Sequence, residues 1–301
     1  MTKYILCRPE GGLNDILCQI EKCCRYGERY NRTVIVDTNH ENARNFHDDF
    51  SRYFFPKHKR LILSAKAIKP KLALMNVFPT GVQGKLNNYQ TKWQGDWRGK
   101  LLEVESNQLL TFDFDKHYSQ QVLLHHSAGG GTDSVFALLR LGVRPHIIKK
   151  LSERLQKIGR VYDAVHVRHT DYKTDYKSFL DNYSASSQRP LFLATDNKSV
   201  VTHFKQALGE NRVFSFSALP EKQIALHSAK FSDDATFRRN TDAILDLLML
   251  SLAVRLQIFQ INQNPIGTTV SGFSQLALNL WESKILIKTL LSNPGIKFGL
   301  N

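Results

Sequence analysis

In its second half the chain alternates short apolar runs with amphipathic ones, and this alternation constrains the fold more than any other feature. The runs at 161–168 (VYDAVHVR), 190–196 (PLFLATD), 212–217 (RVFSFS) and 256–261 (LQIFQI) have the length and the β-branched and aromatic content of strands. Helical patterns separate them, near 176–182, at 198–208 and at 236–254, and a last helix is expected from about 274. Strands divided by helices of that length pair through crossovers and not through hairpins. The spacing therefore predicts an α/β domain with a doubly wound parallel sheet covered on both faces.

The first half opens the same way. KYILC (3–7) reads as a buried strand, RPEGG as a turn, the run from Leu13 to Tyr30 as an amphipathic helix and TVIVD (33–37) as a second strand, a β-α-β unit. Between about 40 and 120 the pattern is irregular, with short pieces such as RLIL and a polar, aromatic stretch NNYQTKWQGDWRGK. QVLLHHS (121–127) reads as a strand entering AGGGTDS, and 134–158 as a helix broken near Pro145, because a residue before proline avoids the helical region. The break is the expected domain junction. With 301 residues, the chain divides into an amino-terminal Rossmann-like domain, 1–143, and a carboxyl-terminal one, 144–301.

Composition narrows the partners. The 41 basic and 27 acidic residues leave a formal charge of +14, which favours nucleic acid, anionic lipid or phosphorylated small molecules. No apolar run is long enough to cross a bilayer, and MTKYILCRPEGG lacks the core and cleavage site of a secretory signal, so a cytoplasmic protein is expected. The four cysteines, Cys7, Cys18, Cys23 and Cys24, sit in the first 24 residues. With none elsewhere to reach a distant loop, they are expected as reduced, packed thiols. No C-x-x-C pair or matching histidine spacing points to zinc, and no metal ligand is assigned.

Parallel sheets bind ligands beyond the carboxyl ends of their strands, where an apolar run turns polar. Three such ends stand out: VHVRHTDY (165–172), FLATDN (192–197) and NPIGTTVSGFSQ (264–275). Arg168 offers a permanently charged planar fork suited to phosphate. Asp196 is an acceptor for paired donors of a base or ribose. Thr268, Thr269, Ser271 and Ser274 lie just before a helix, whose first amides favour an anion. Singly, each has an ordinary reading: Asp171 pairs with Arg168, Asp196 caps the following helix, and SGFSQ starts a helix over a buried Phe273. The conjunction on successive strand ends favours a phosphate-bearing nucleoside.

In this order, HxR-x-T-D, ATD, a long helix carrying DAILDLLMLS, and SGFSQLAL resemble the carboxyl-terminal half of the fucosyltransferase-like glycosyltransferases. That group includes α-1,6-fucosyltransferases, nodulation fucosyltransferases and protein O-fucosyltransferases, and the likeness spans roughly 134–282. The resemblance implies a GT-B fold with the active site in the interdomain cleft, a GDP-sugar donor held mainly by the second domain, inversion at the sugar carbon and no obligatory metal or cofactor. It makes His166 and Asp196 contacts to guanosine, Arg168 the clamp on the β-phosphate, and Ser271, Phe273 and Ser274 part of the pyrophosphate cradle. Many relatives carry two adjacent arginines where this chain has Arg168-His169, which leaves the donor sugar open.

Gly11, Gly12 and Asn14 fall on the glycine-rich first loop, RPEGGLND, where close ligand approach is expected. Two carboxylates match base positions in different branches, Glu10 in the Pro-Glu-Gly-x-Asn setting and Asp175 after the HxR-x-T-D motif; Glu10 is preferred. HHSAGGGTDS lacks the ending of a triphosphate-binding loop and is expected on the acceptor side. The six basic residues between Lys57 and Lys71 suit peripheral contact with an anionic membrane carrying lipid-linked glycan acceptors. The expected function is transfer of fucose from GDP-fucose to a glycan in cell-surface polysaccharide or lipopolysaccharide. Alternatives are another nucleotide-sugar donor, or nucleic-acid binding through the charge and Trp93, Trp97 and Tyr89. The latter lacks any interleaved basic-aromatic motif, so nucleic acid is not an expected partner.

Overall fold

A computed structural model describes residues 2–95, 99–170, 174–219, 232–261 and 270–292. The chain forms two compact units, Met1–Arg144 and Pro145–Asn301, parting at the Arg144–Pro145 bond.

The first unit begins with β1 (Lys3–Pro9), α1 (Leu13–Arg29) and β2 (Arg32–Val36). In α1 an apolar stripe containing Ile16, Leu17, Ile20, Cys23 and Cys24 is buried while Lys22, Arg25 and Arg29 stay in solvent, which is why the helix forms where it packs on the sheet. Short pieces follow: β3 (Phe54–Pro56), β4 (Leu61–Ile62), α2 (Lys69–Ala73), β5 (Val77–Phe78), β6 (Thr91–Trp93) and β7 (Leu101–Glu103). Then come β8 (Val122–Ser127), α3 (Ser134–Leu139) and β9 (Leu141–Val143). Five strands make a parallel sheet in the order β4-β2-β1-β8-β5, closed over a core that includes Leu6, Ile35, Val77, Val122 and Leu124. Because β1 pairs in parallel with both β2 and β8, the polar residues after these three strands share one edge.

The expected helix at 134–158 is corrected: α3 ends at Leu139 and β9 pairs antiparallel with β3 before the next helix begins. Gly142 allows that pairing, since a Cβ there would meet the Phe55 ring at 2.1 Å. The four cysteines are free and buried, as expected.

The second unit starts at α4 (Pro145–Ile158), with proline in the first turn, where its missing N–H costs nothing. It continues with β10 (Asp163–Val167), α5 (Lys177–Ser186), β11 (Leu191–Thr195), α6 (Lys198–Leu208), β12 (Val213–Phe214), α7 (Asp233–Leu252), β13 (Arg255–Ile258), α8 (Gly272–Glu282) and α9 (Lys284–Leu291). The strands form a parallel sheet in the order β12-β11-β10-β13. Val165, Val167, Leu191, Leu193, Val200 and Phe204 are central to its core. Alternation of strand and helix is as the sequence predicts, with β12 shortened to two residues. Arg154 of α4 ties down α7 through Asp246 at 2.7 Å and through Asp242, so the acids of the DAILD motif hold helices together. No helix among the described residues is long and apolar enough to cross a membrane.

Candidate functional site

Three of the expected residue groups meet at the carboxyl edge of the second sheet. His166 lies in β10, buried, with its Nδ1 2.7 Å from the hydroxyl of Ser274 in the first turn of α8. Ser271 caps α8: its Oγ accepts from the Ser274 amide at 3.1 Å and lies 2.8 Å from the Ser274 hydroxyl. The Phe273 ring stands 5.0 Å from the imidazole. Burial, and after it the charge of Arg168, pushes His166 down to about 3, so at neutral pH it is an uncharged imidazole.

On the other side of β10, the Asp196 carboxylate accepts from the His169 amide at 2.8 Å, and Asn197 donates to the His169 carbonyl at 2.9 Å. Asn197, not Asp196, caps α6, accepting from the Ser199 amide at 2.9 Å; this replaces the ordinary reading of the aspartate as the cap. Arg168 is half-buried and its carbonyl accepts from the Thr174 hydroxyl at 3.0 Å. Asp175, next in sequence, is exposed and accepts from Ser178 at 3.3 Å. The His169 imidazole, at the place of a second arginine, packs edge-on against Tyr176 at 5.3 Å. Asp171, Thr268 and Thr269 lie outside the described residues.

The first unit places its residues differently. Gly11 has φ +108, and an added Cβ would sit 2.6 Å from the Asp15 carboxylate, so glycine is required there. Gly12 donates its amide to that carboxylate at 2.9 Å, starting α1. Asn14 is buried, donating to the Gly131 carbonyl at 3.1 Å and accepting from the Ser134 hydroxyl at 2.6 Å. The RPEGGLND and AGGGTDS loops thus close on each other, and Gly11, Gly12 and Asn14 shape that junction.

Glu10 is only 2% exposed. One carboxylate oxygen lies 3.0 Å from His126 Nε2 and 3.7 Å from His40 Nε2, and the other accepts from the Arg44 amide at 3.1 Å and the Asn45 side chain at 3.3 Å. A base must reach an acceptor hydroxyl, and a carboxylate enclosed and engaged at both oxygens is built to be held in place. His40 was not singled out from the sequence, and His126 only as part of HHSAGGGTDS; each follows or ends a strand next to β1, and that adjacency brings them to Glu10. Tyr89, one of the aromatics behind the nucleic-acid alternative, is buried with its hydroxyl 2.8 Å from His126 Nδ1.

No protein-family model matches the sequence, and no curated protein matches it by sequence. Solved structures do match it. The NodZ alpha-1,6-fucosyltransferase co-crystallized with GDP aligns with a TM-score of 0.60 at 14% identity, over 93% of each chain. Fucosyltransferase NodZ from Bradyrhizobium aligns at 0.60 and 15%, covering 93% of this chain and 94% of that one. POFUT1 in complex with GDP-fucose aligns at 0.53 and 12%, over 93% and 95%. The chain has the GT-B fold of these fucosyltransferases. The likeness runs across both units of the chain, whereas the resemblance in sequence spans roughly 134–282, with the RPEGGLND loop before it.

Proposed function

We propose that the chain is an inverting glycosyltransferase that moves fucose from GDP-fucose to a glycan acceptor, in assembly of cell-surface polysaccharide or lipopolysaccharide. One observation carries the reading: the tips of β10 and β11 and the start of α8 are bound to one another through His166–Ser274 and His169–Asp196, in a fold shared with proteins crystallised with GDP and GDP-fucose. In this proposal the neutral His166 and Asp196 contact guanosine. The capped start of α8 at Ser271, Phe273 and Ser274 receives the pyrophosphate.

When the glycosidic bond breaks, negative charge grows on the β-phosphate oxygen. Arg168 neutralises it without deprotonating and without a metal. The base that takes the acceptor hydroxyl's proton is Asp175, exposed and adjacent to Thr174, which is bonded to the Arg168 backbone. That choice reverses the preference for Glu10, whose carboxylate is enclosed. The protein acts in the cytoplasm. Lys57, Lys59, Arg60, Lys66 and Lys71, all exposed, bring it to the anionic inner face of the membrane, where lipid-linked acceptors reside.

A second reading keeps the chemistry and changes the donor, and it is favoured by His169, whose ring packs on Tyr176 where many relatives have arginine. Thermal stabilisation across a panel of nucleoside diphosphates and their sugars separates the two. GDP and GDP-fucose are both expected to raise the melting temperature, and GDP-fucose to support transfer in excess chelator. Stabilisation by UDP and not by GDP would defeat the fucose assignment.

A further inference from the structure

Away from the donor residues, the first unit buries a group of polar side chains that the transfer chemistry does not use. The parallel pairing of β2, β1 and β8 brings together His40, from the loop after β2, Glu10, just past β1, and His126, inside β8. All three are buried, with exposures of 7%, 2% and 0%. One donor atom from each lies within 4.8 Å of the other two.

His40 is the telling member. Neither of its ring nitrogens has a hydrogen-bond partner among the described residues, and the 3.7 Å from its Nε2 to Glu10 is too long for a hydrogen bond. Leaving two buried ring nitrogens unsatisfied is unfavourable unless something else binds them. Its neighbours, by contrast, are firmly set. Tyr89 holds His126 through Nδ1 at 2.8 Å, which directs Nε2 toward Glu10. Arg44 and Asn45 hold the far oxygen of Glu10. Outer partners of this kind orient the ligands of metal sites.

We infer that Glu10, His40 and His126 form a binding site for a divalent transition-metal ion of the zinc class. Two imidazoles and one carboxylate are a donor set that zinc accepts, at about 2.0–2.2 Å from each donor. Tetrahedral angles at those lengths put donors about 3.3 Å apart. The Glu10–His126 separation of 3.0 Å and the Glu10–His40 separation of 3.7 Å bracket that value. The neighbouring cations Arg8 and Lys69 share Asp37, at 2.9 Å and 3.2 Å, which offsets part of their charge beside the ion. Bound there, the ion pins three strand tips of the first sheet. It lies outside the transfer step proposed above, and its presence does not depend on that proposal.

The test uses the full chain, stripped with chelator and then given Zn2+ or Co2+ alone, without nucleotide. One equivalent is expected to stay with the protein through gel filtration, by elemental analysis, and Co2+ is expected to show the visible bands of a low-coordinate N/O site. His40→Ala, which breaks no hydrogen bond, should weaken binding more than about 100-fold, and Tyr89→Phe about 10-fold. Circular dichroism checks that each variant is folded. A folded wild-type protein that retains no ion, or a folded His40→Ala variant that binds as tightly as wild type, overturns the inference. These readouts involve no donor or acceptor, so their failure is distinct from failure of the glycosyltransferase reading.

Discussion

Ser274 is the residue on which the geometry of the second unit turns. The residue is 3% exposed and its hydroxyl spans two partners, His166 Nδ1 at 2.7 Å and Ser271 Oγ at 2.8 Å. Ser274→Ala removes both bonds and leaves a buried imidazole nitrogen unpaired. At a net of about 1 kcal/mol for the bond to Ser271, and about 1–3 kcal/mol for the orphaned His166 nitrogen, the expected loss is about 2–4 kcal/mol in the second unit. Trp281 reports on that unit, because its Nε1 donates to the Ala253 carbonyl at 2.9 Å and it lies in the same helix as Ser274. Urea unfolding followed by its fluorescence, in a Trp93→Phe and Trp97→Phe background, gives the number. A double-mutant cycle with His166→Phe isolates the pair, with an expected coupling of about 1–2 kcal/mol. A loss below about 0.5 kcal/mol, the size of an ordinary surface change, or strict additivity in the cycle, refutes the reasoning that Ser274 joins α8 to β10.

Three further outcomes are expected. Asp175→Asn should lower kcat by about 10²-fold or more at unchanged donor KM. Glu10→Gln should spare kcat by comparison, and steady-state kinetics of the two variants side by side decides which carboxylate is the base. His166 takes a proton near 6.5 when unfolded and only near 3 when folded, so the stability it contributes is complete above pH 6.5 and is lost as pH falls toward 3. In His166→Phe the pH dependence of unfolding over that window should be shallower by about 1.4 kcal/mol per pH unit, and an unchanged slope counts against a buried neutral imidazole. Gly11→Ala, forced onto φ +108 and against Asp15, should cost more than about 1 kcal/mol by thermal unfolding, while an alanine there that leaves the melting temperature unmoved contradicts the loop geometry.

Much of the second unit was legible in the sequence because β10 and β11 are mostly apolar five-residue runs and helices separate the strands. One cap was legible too: Ser271 stands one residue before α8, where a serine start signal belongs. The stretch from 40 to 120 was not legible, since β4 and β5 have two residues each and β3, β6 and β7 three, too few for alternation to show. β9 was hidden inside a run whose apolar spacing suits a helix, and only its pairing with β3 makes it a strand.

Within the site, Arg168, His166, Asp196 and Ser274 could be singled out because each follows or ends an apolar run at one sheet edge. Glu10 was legible as a position and misleading as a role, because its partners His40 and His126 stand 30 and 116 residues away and meet it only through strand order. Nothing in the spacing of three such distant residues announces that they lie buried side by side.

The most direct measurement is a calorimetric titration of GDP into wild-type protein and into Arg168→Ala. Tight, saturable binding to the wild type is expected, weakened about 10- to 100-fold in the variant, as suits the loss of hydrogen bonds from a charged group. Equal affinities in the two folded proteins, or a wild type that does not bind GDP, would contradict the claim that this arginine grips a guanosine diphosphate.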